Sequence, residues 1–221
     1  MAIFSPSMMC AHYGNLAQEV GLLEEAGADR LHLDVMDGRF VPNFAMGLGD
    51  IRCVAQTAHV ETELHLMIKQ PSEYIPLFAA TGVDIIYIHP ESDYHPTTAI
   101  QKILDMGKTP GIVLNPGTSM ESVIELLNIA KKVMIMGVNP GHAGQVYLPY
   151  VDKKIKKFLE IKEEYGLEIT LDGACSADTI SRWGNKGVDG FVLGTSALFG
   201  RPGTYLENMA RLRGLCGGEH E

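Results

Sequence analysis

The chain has no apolar run long enough to cross a bilayer, few cysteines and no surplus of basic residues. A membrane-spanning helix needs about 20 apolar residues in succession, so a membrane partner is not expected. The four cysteines (Cys10, Cys53, Cys175, Cys216) are far apart and include no C-x-x-C pair. That argues against a disulfide framework and against a thiolate zinc site. The first residues lack the basic segment and apolar stretch of a secretory signal, and a cytoplasmic location is expected. With 18 Lys and Arg against 27 Asp and Glu, the net charge is −9, which argues against a nucleic-acid or anionic-membrane partner. The same field repels any anionic ligand, so such a ligand needs local help from backbone N–H groups or a metal. The one basic cluster, Lys153 to Lys162, runs among Val151, Ile155, Phe158 and Leu159 at helical spacing and reads as a solvated helix face.

What is present is repetition. Strand-length apolar runs lie near 2–8, 30–36, 61–67, 83–89, 110–114, 132–138, 167–172 and 188–193. Helix-like stretches alternate with them, marked by Leu16/Val20/Leu23, Ile51/Val54, Ile75/Phe78, Ile100/Ile103/Leu104, Val123/Ile124/Leu127, Ile155/Phe158, Ile180/Trp183 and Leu206/Met209/Leu212. Thr118 and Glu121 fit a capping box at one helix start. Gly27, Gly82, Gly107, Gly166 and Gly187 fall where helices should stop. An open doubly wound sheet is the alternative, but no early G-x-G-x-x-G supports it. Eight βα units without a composition break predict an α/β fold, one (β/α)8 TIM barrel domain over residues 1–221, although 221 residues is slightly short for that fold.

Strand side chains alternate, so parity separates barrel interior from exterior. Leu31, Leu33 and Val35 oppose His32, Asp34 and Met36. Leu64, Leu66 and Ile68 oppose Glu63, His65 and Met67. Leu167, Ile169 and Leu171 oppose Glu168, Thr170 and Asp172. The aliphatic sets suit packing under helices, which turns the polar sets inward, where they are costly unless paired or bound to something. His32, Asp34, His65 and Asp172 share this parity near the C-terminal strand ends, where barrel active sites are built. Singly, each has an ordinary explanation as a hydrogen-bonded pair, a core histidine or a strand end. Together they predict a four-ligand site for one divalent metal ion: zinc first, with manganese, cobalt, iron or magnesium also compatible. Met9, Met36, Met67 and Met136 share the inward parity and are expected to line a dry site above the metal. Three glycine-bearing loops, 139–145, 172–176 and 194–199, follow the last three strands. Such loops hold phosphate groups in many barrels through exposed N–H groups.

Ser5-Pro6-Ser7, His32-Leu-Asp34-Val-Met36-Asp-Gly38, Phe40-Val-Pro-Asn43, His65-Leu-Met67, His89-Pro-Glu91, Leu114-Asn-Pro116, Val138-Asn-Pro-Gly141 and Asp172-Gly173 occur in that order. This series resembles the ribulose-phosphate 3-epimerase family over nearly the whole chain. The resemblance implies a divalent metal held by His32, Asp34, His65 and Asp172, with Asp34 and Asp172 as the acid/base pair. It implies substrate contacts from Ser7 and His65. Phosphate and substrate binding would fall to Gly141, His142, Ala143 and Gly144, to Gly173 and Ala174, and to Gly194 and Thr195. The partner is then a phosphorylated ketose, and the working form a homo-oligomer, dimer or hexamer.

The chain departs from the family at Met9-Cys10, Ala143-Gly-Gln145 and Ala174-Cys-Ser176. These departures look like the branch acting on allulose 6-phosphate, so the expected reaction is allulose 6-phosphate to fructose 6-phosphate. Cys175 and Ser176 are smaller than the isoleucine and asparagine usual in the pentose enzymes, which would leave room for one more hydroxymethylene. Ribulose 5-phosphate to xylulose 5-phosphate is the alternative. Inverting a carbon beside a ketone removes a proton from one face and returns one to the other, which suits two opposed carboxylates and an enediolate intermediate. A phosphate-binding barrel decarboxylase is disfavoured, because its D-x-K-x-x-D strand needs lysine where Met36 stands. A sugar-phosphate or metal-binding protein without catalysis would not need both Asp34 and Asp172.

Overall fold

Alternating aliphatic residues give each strand one face that a helix can cover. In the computed structural model, which describes residues 2–216, this produces eight parallel strands. They are β1 (Ile3–Pro6), β2 (Arg30–Met36), β3 (Glu61–Met67), β4 (Ile85–Ile88), β5 (Thr109–Leu114), β6 (Lys132–Met136), β7 (Glu168–Asp172) and β8 (Gly190–Leu193). Residues 1 and 217–221, both within the expected 1–221 domain, lie outside the described residues. The sheet order β1-β8-β7-β6-β5-β4-β3-β2 leaves one seam, between β1 and β2. A parallel bridge from Ser7 to His32 crosses it, and Phe4 and Asp29 exchange hydrogen bonds of 2.7 and 3.0 Å there. The result is a nearly closed (β/α)8 TIM barrel.

Seven helices surround it: α1 (Leu16–Glu25), α2 (Leu48–Thr57), α3 (Ile75–Ala79), α4 (Pro96–Asp105), α5 (Asp152–Tyr165), α6 (Ala177–Gly184) and α7 (Tyr205–Arg213). The helix expected around Val123 to Leu127 is instead a 3-10 turn, Ile124–Asn128. Its capping box does not form, because both members are engaged elsewhere. The Thr118 hydroxyl donates to Glu91 Oε1 at 2.6 Å, and Glu121 pairs with Lys157 at 2.5 Å. Val123, Leu126 and Leu127 are still buried, so one turn covers the strands that a full helix covers elsewhere. This unit and the five-residue α3 explain how a short chain completes the barrel.

The basic cluster is not wholly a solvated face. Lys154 is buried and donates to the Asn115 and Pro116 carbonyls, and Lys162 pairs with Asp189 at 2.6 Å. Burial lowers the Lys154 ammonium to about 8. Helix α5 stops at Gly166, whose left-handed φ of 64° is a conformation that a side chain would strain.

Two cores lie on either side of the sheet. Phe4, Leu33, Leu66, Ile88, Leu114, Ile135, Leu171 and Phe191 pack outward under the helices. Tyr87, Val113, Met134, Met136 and Val192 fill the inside. The absent side chain of Gly111 makes room for the Tyr87 ring. The deepest interior layer is ionic. Arg30 clamps Glu168 through two bonds of 2.5 and 3.0 Å, and Lys132 reaches the same carboxylate at 2.8 Å.

Candidate active site

The inward parity of β2, β3 and β7 carries His32, Asp34, His65 and Asp172 to one point at the C-terminal end of the barrel. One donor atom from each lies within 4.8 Å of all the others. His32 Nε2 and Asp34 Oδ1 are 3.3 Å apart, as are His65 Nδ1 and Asp34 Oδ1. Asp172 Oδ2 stands 3.4 Å from His65 Nδ1. None of these approaches has hydrogen-bond geometry, so His32 Nε2 and His65 Nδ1 are buried nitrogens without a hydrogen-bond partner among the described residues. Leaving such groups unpaired costs roughly 1–3 kcal/mol each. One cation between the four atoms would satisfy both nitrogens and both carboxylates, and on this observation the residues fit a divalent metal.

The surroundings set the tautomers. His32 Nδ1 is 2.9 Å from Glu63 Oε1, a carboxylate with no exposed surface. The nitrogen therefore carries the hydrogen and Nε2 keeps its lone pair, the arrangement in which a second carboxylate orients a metal-binding imidazole. His65 Nε2 is 2.8 Å from His89 Nε2, and the two share one hydrogen. With the His65 Nδ1 lone pair facing the cluster, His65 donates and His89 accepts. Burial lowers the His89 imidazole to about 4, which keeps it neutral. Its Nδ1 faces Glu91 Oε1 at 3.8 Å.

Charge follows the same logic. Burial alone would raise the Asp34 carboxyl, but the neighbouring His32 and His65 imidazoles hold it well below the carboxylate range. Burial opposes a charge on His32, yet Asp34 and Glu63 lift its proton affinity well above the ordinary value. The pocket thus draws positive charge to its centre.

Above this floor lies a cavity open to solvent. Ser7, Asp34 and Asp172 border it, as do all four expected methionines, Met9, Met36, Met67 and Met136. The Ser7 hydroxyl donates to Asp34 Oδ2 at 2.7 Å and leaves Oδ1 to the histidines. His65, expected to touch substrate, does not border the cavity; it is fully buried beneath the carboxylates. The three loops border the same cavity, bringing Gly141, His142, Ala143, Gly144, Gly173, Ala174, Gly194 and Thr195 together. Asn43 ties the first of them down with a 2.7 Å bond to the Gly141 carbonyl. Among the described residues no lysine or arginine lines the cavity, so its donors are backbone and side-chain N–H and O–H groups.

Gly173 and Ala174 both take left-handed backbone, with φ of 93° and 53°. A Cβ on Gly173 would stand 2.5 Å from Val138 Cγ2, so only glycine fits there. Ala174 has no such excuse, since left-handed backbone costs a non-glycine residue roughly 1–2 kcal/mol. Ala174→Gly is therefore expected to stabilise the fold by up to about 1 kcal/mol, less the entropy glycine gains in the unfolded chain. Urea denaturation checks this, and a destabilised variant would show that the strain is not there.

Two side chains that suggested a roomier pocket do not provide one. Cys175 borders the cavity, but its thiol is turned to the Leu171 carbonyl at 3.4 Å and packs in the outer core at 2% exposure. Ser176 caps α6, accepting from Thr179 N–H at 3.3 Å.

Carboxylates and glycine-rich loops at the mouth of a parallel barrel place this chain among the isomerases that act on carbohydrate phosphates. More narrowly, residues 3–199 match the ribulose-phosphate 3-epimerase family, and the chain belongs to it. It is 35% identical over 215 residues to ribulose-phosphate 3-epimerase of Synechocystis sp., covering 96% of this chain and 93% of that one. The protein of the same name from Bacillus subtilis is 36% identical over 200 residues, 89% of this chain and 92% of that one. The Helicobacter pylori protein of that name is 39% identical over 193 residues, 86% and 88%. Among solved structures, KGPDC from Streptococcus mutans superposes with a TM-score of 0.72 over 98% of this chain and 100% of that one at 11% identity. Phosphoribosyl anthranilate isomerase from Thermus thermophilus gives 0.67 over 96% of this chain and 99% of that one at 13% identity. At such identities these two likenesses show the fold alone.

Proposed function

We propose that this chain is a metal-dependent 3-epimerase interconverting D-ribulose 5-phosphate and D-xylulose 5-phosphate, with the whole chain serving as one catalytic domain. The observation that carries the pentulose is the near full-length identity to proteins named ribulose-phosphate 3-epimerase, 35% over 215 residues in one case. The buried side chain of Cys175 and the helix-capping role of Ser176 remove the argument for a hexulose that rested on their size.

His32 Nε2, Asp34 Oδ1, His65 Nδ1 and Asp172 Oδ2 would hold the metal. Two imidazoles and two carboxylates are a donor set that suits zinc. Bound there, the ion supplies Lewis-acid stabilisation of negative charge developing on the sugar oxygens. The protein does the proton work. One of Asp34 and Asp172 removes the C3 proton from its face of the sugar, and the other, protonated, returns one from the opposite face. Each turnover exchanges their protonation states. Met9, Met36, Met67 and Met136 keep water from the enediolate, which strengthens the local electrostatics. The N–H groups of loops 141–144, 173–174 and 194–195 take the phosphate.

Comparing kcat/KM on the two candidate sugars tests the assignment. D-Ribulose 5-phosphate is expected to exceed D-allulose 6-phosphate by about tenfold or more, the scale on which a pocket rejects one extra carbon unit. A higher value on the six-carbon sugar would move the chain to the hexulose branch and keep the chemistry.

A further inference from the structure

Among the described residues no lysine or arginine borders the proposed phosphate site, although the chain carries a net charge of −9. A cation does stand directly behind it. Arg201 lies in a neighbouring surface cavity that shares Ser196 with the active-site cavity. Its Nε donates to the Thr195 carbonyl at 2.9 Å and its Nη2 to the Ser196 carbonyl at 2.7 Å.

The peptide unit gives this clamp a consequence on the other side of the loop. No peptide bond among the described residues is cis, so the Thr195 carbonyl and the Ser196 N–H belong to one planar unit and point opposite ways. Arg201 pulls on the carbonyl from outside, which directs the Ser196 N–H inward. Among the described residues no backbone acceptor takes that N–H, whereas Ala197, Leu198 and Phe199 all donate to the Gly194 carbonyl. A charged donor on the carbonyl also polarises the whole unit and strengthens the N–H opposite.

We propose that Arg201 is a positioning residue for anion binding. It holds the 194–196 turn so that the Ser196 N–H meets the substrate phosphate, and it delivers positive charge through the peptide rather than by contact. This rests on the phosphorylated-ketose reading above. It accounts for anion binding in an acidic chain whose cavity has no lysine or arginine.

The experiment measures KM, kcat and the inhibition constant of inorganic phosphate for the metal-loaded wild type and for Arg201→Ala, Arg201→Gln and Arg201→Lys. Thermal melts of each variant monitor the fold. Arg211→Ala is the charge control, because Arg211 lines the same outer cavity but bonds Asn208 instead of the turn. In Arg201→Ala and Arg201→Gln, KM and the phosphate constant should rise together by about tenfold, the loss of one hydrogen bond to an anion. Their kcat should stay within about twofold, since an interaction of this kind acts on ground state and transition state alike. Lysine, with a single compact donor head, should recover part of the loss. Phosphate constants that stay at the wild-type value, an equal rise in Arg211→Ala, or a loss confined to kcat would each overturn the proposal. A wild type that turns over the ketose phosphate keeps the underlying reading whatever the variants do. A wild type that neither turns over a ketose phosphate nor binds inorganic phosphate would sink that reading and this proposal together.

Discussion

Asp34→Asn and Asp172→Asn are each expected to slow C3 epimerisation by about a thousandfold or more, within the range of general acid–base contributions of roughly 10²–10⁴ and extended by the pair acting as a unit. The substitution keeps the shape of the side chain and removes its ability to take up or release a proton. In Asp34→Asn the side-chain oxygen still accepts the Ser7 hydroxyl that now binds Asp34 Oδ2 at 2.7 Å, so the strand end should keep its place. Loss of one carboxylate stops the relay on one face of the sugar only. One of the two variants should therefore still exchange the C3 hydrogen with deuterated solvent while failing to invert the carbon. Both residues also belong to the four-atom cluster, and an amide is a weaker ligand than a carboxylate. Metal content must accordingly be measured on the same samples, and the proton role is isolated in a variant that keeps its metal. Epimerisation by either variant near the wild-type rate would remove the two-base mechanism.

Parity makes most of this site legible in the sequence. The period of two is set by the backbone, so His32, Asp34, His65 and Asp172 have to share an interior once their neighbours face the outside. The same argument reaches His89, which continues the inward series Ile85 and Tyr87 at the end of β4, though its sequence signal carries only a motif and no role. What parity does not carry is rotamer direction. His65 is inward, yet its ring lies under the carboxylates and not at the cavity wall. Cys175 and Ser176 lie in the right loop, but one thiol points to the core and the other side chain caps a helix. Helix ends are less legible, because a capping residue can be claimed by a partner distant in sequence, as Glu91 claims Thr118. Arg201 is invisible for a related reason. Its two acceptors are backbone carbonyls, which every residue possesses, so no residue pattern marks them.

Removing the metal is the second large effect. Chelation is expected to lower activity by about a thousandfold or more, since Lewis-acid stabilisation of this kind is worth several kcal/mol. The expectation rests on the unsatisfied state of the site. Two buried imidazole nitrogens face two carboxylate oxygens at 3.3–3.4 Å without hydrogen-bond geometry, an arrangement that only a shared cation or shared protons relieve. His65→Ala removes one donor and unseats the His89 hydrogen bond, so metal content and rate should fall together. Because the ion binds the folded chain and not the unfolded one, it should also raise the melting temperature, by an amount that grows with ion concentration over its dissociation constant. Melting therefore reports occupancy independently of turnover. Zinc, manganese, cobalt, iron and magnesium added back one at a time then rank the ions by both readouts. If the two-imidazole, two-carboxylate donor set governs, zinc should give the largest melting shift, while magnesium, which favours octahedral oxygen ligands, should give the smallest. A rigorously metal-free protein with full activity would refute the metal site. A protein that melts higher with zinc but turns over no faster would leave the four residues as a structural centre, and the rate would then have to come from the aspartates and the loop N–H groups alone.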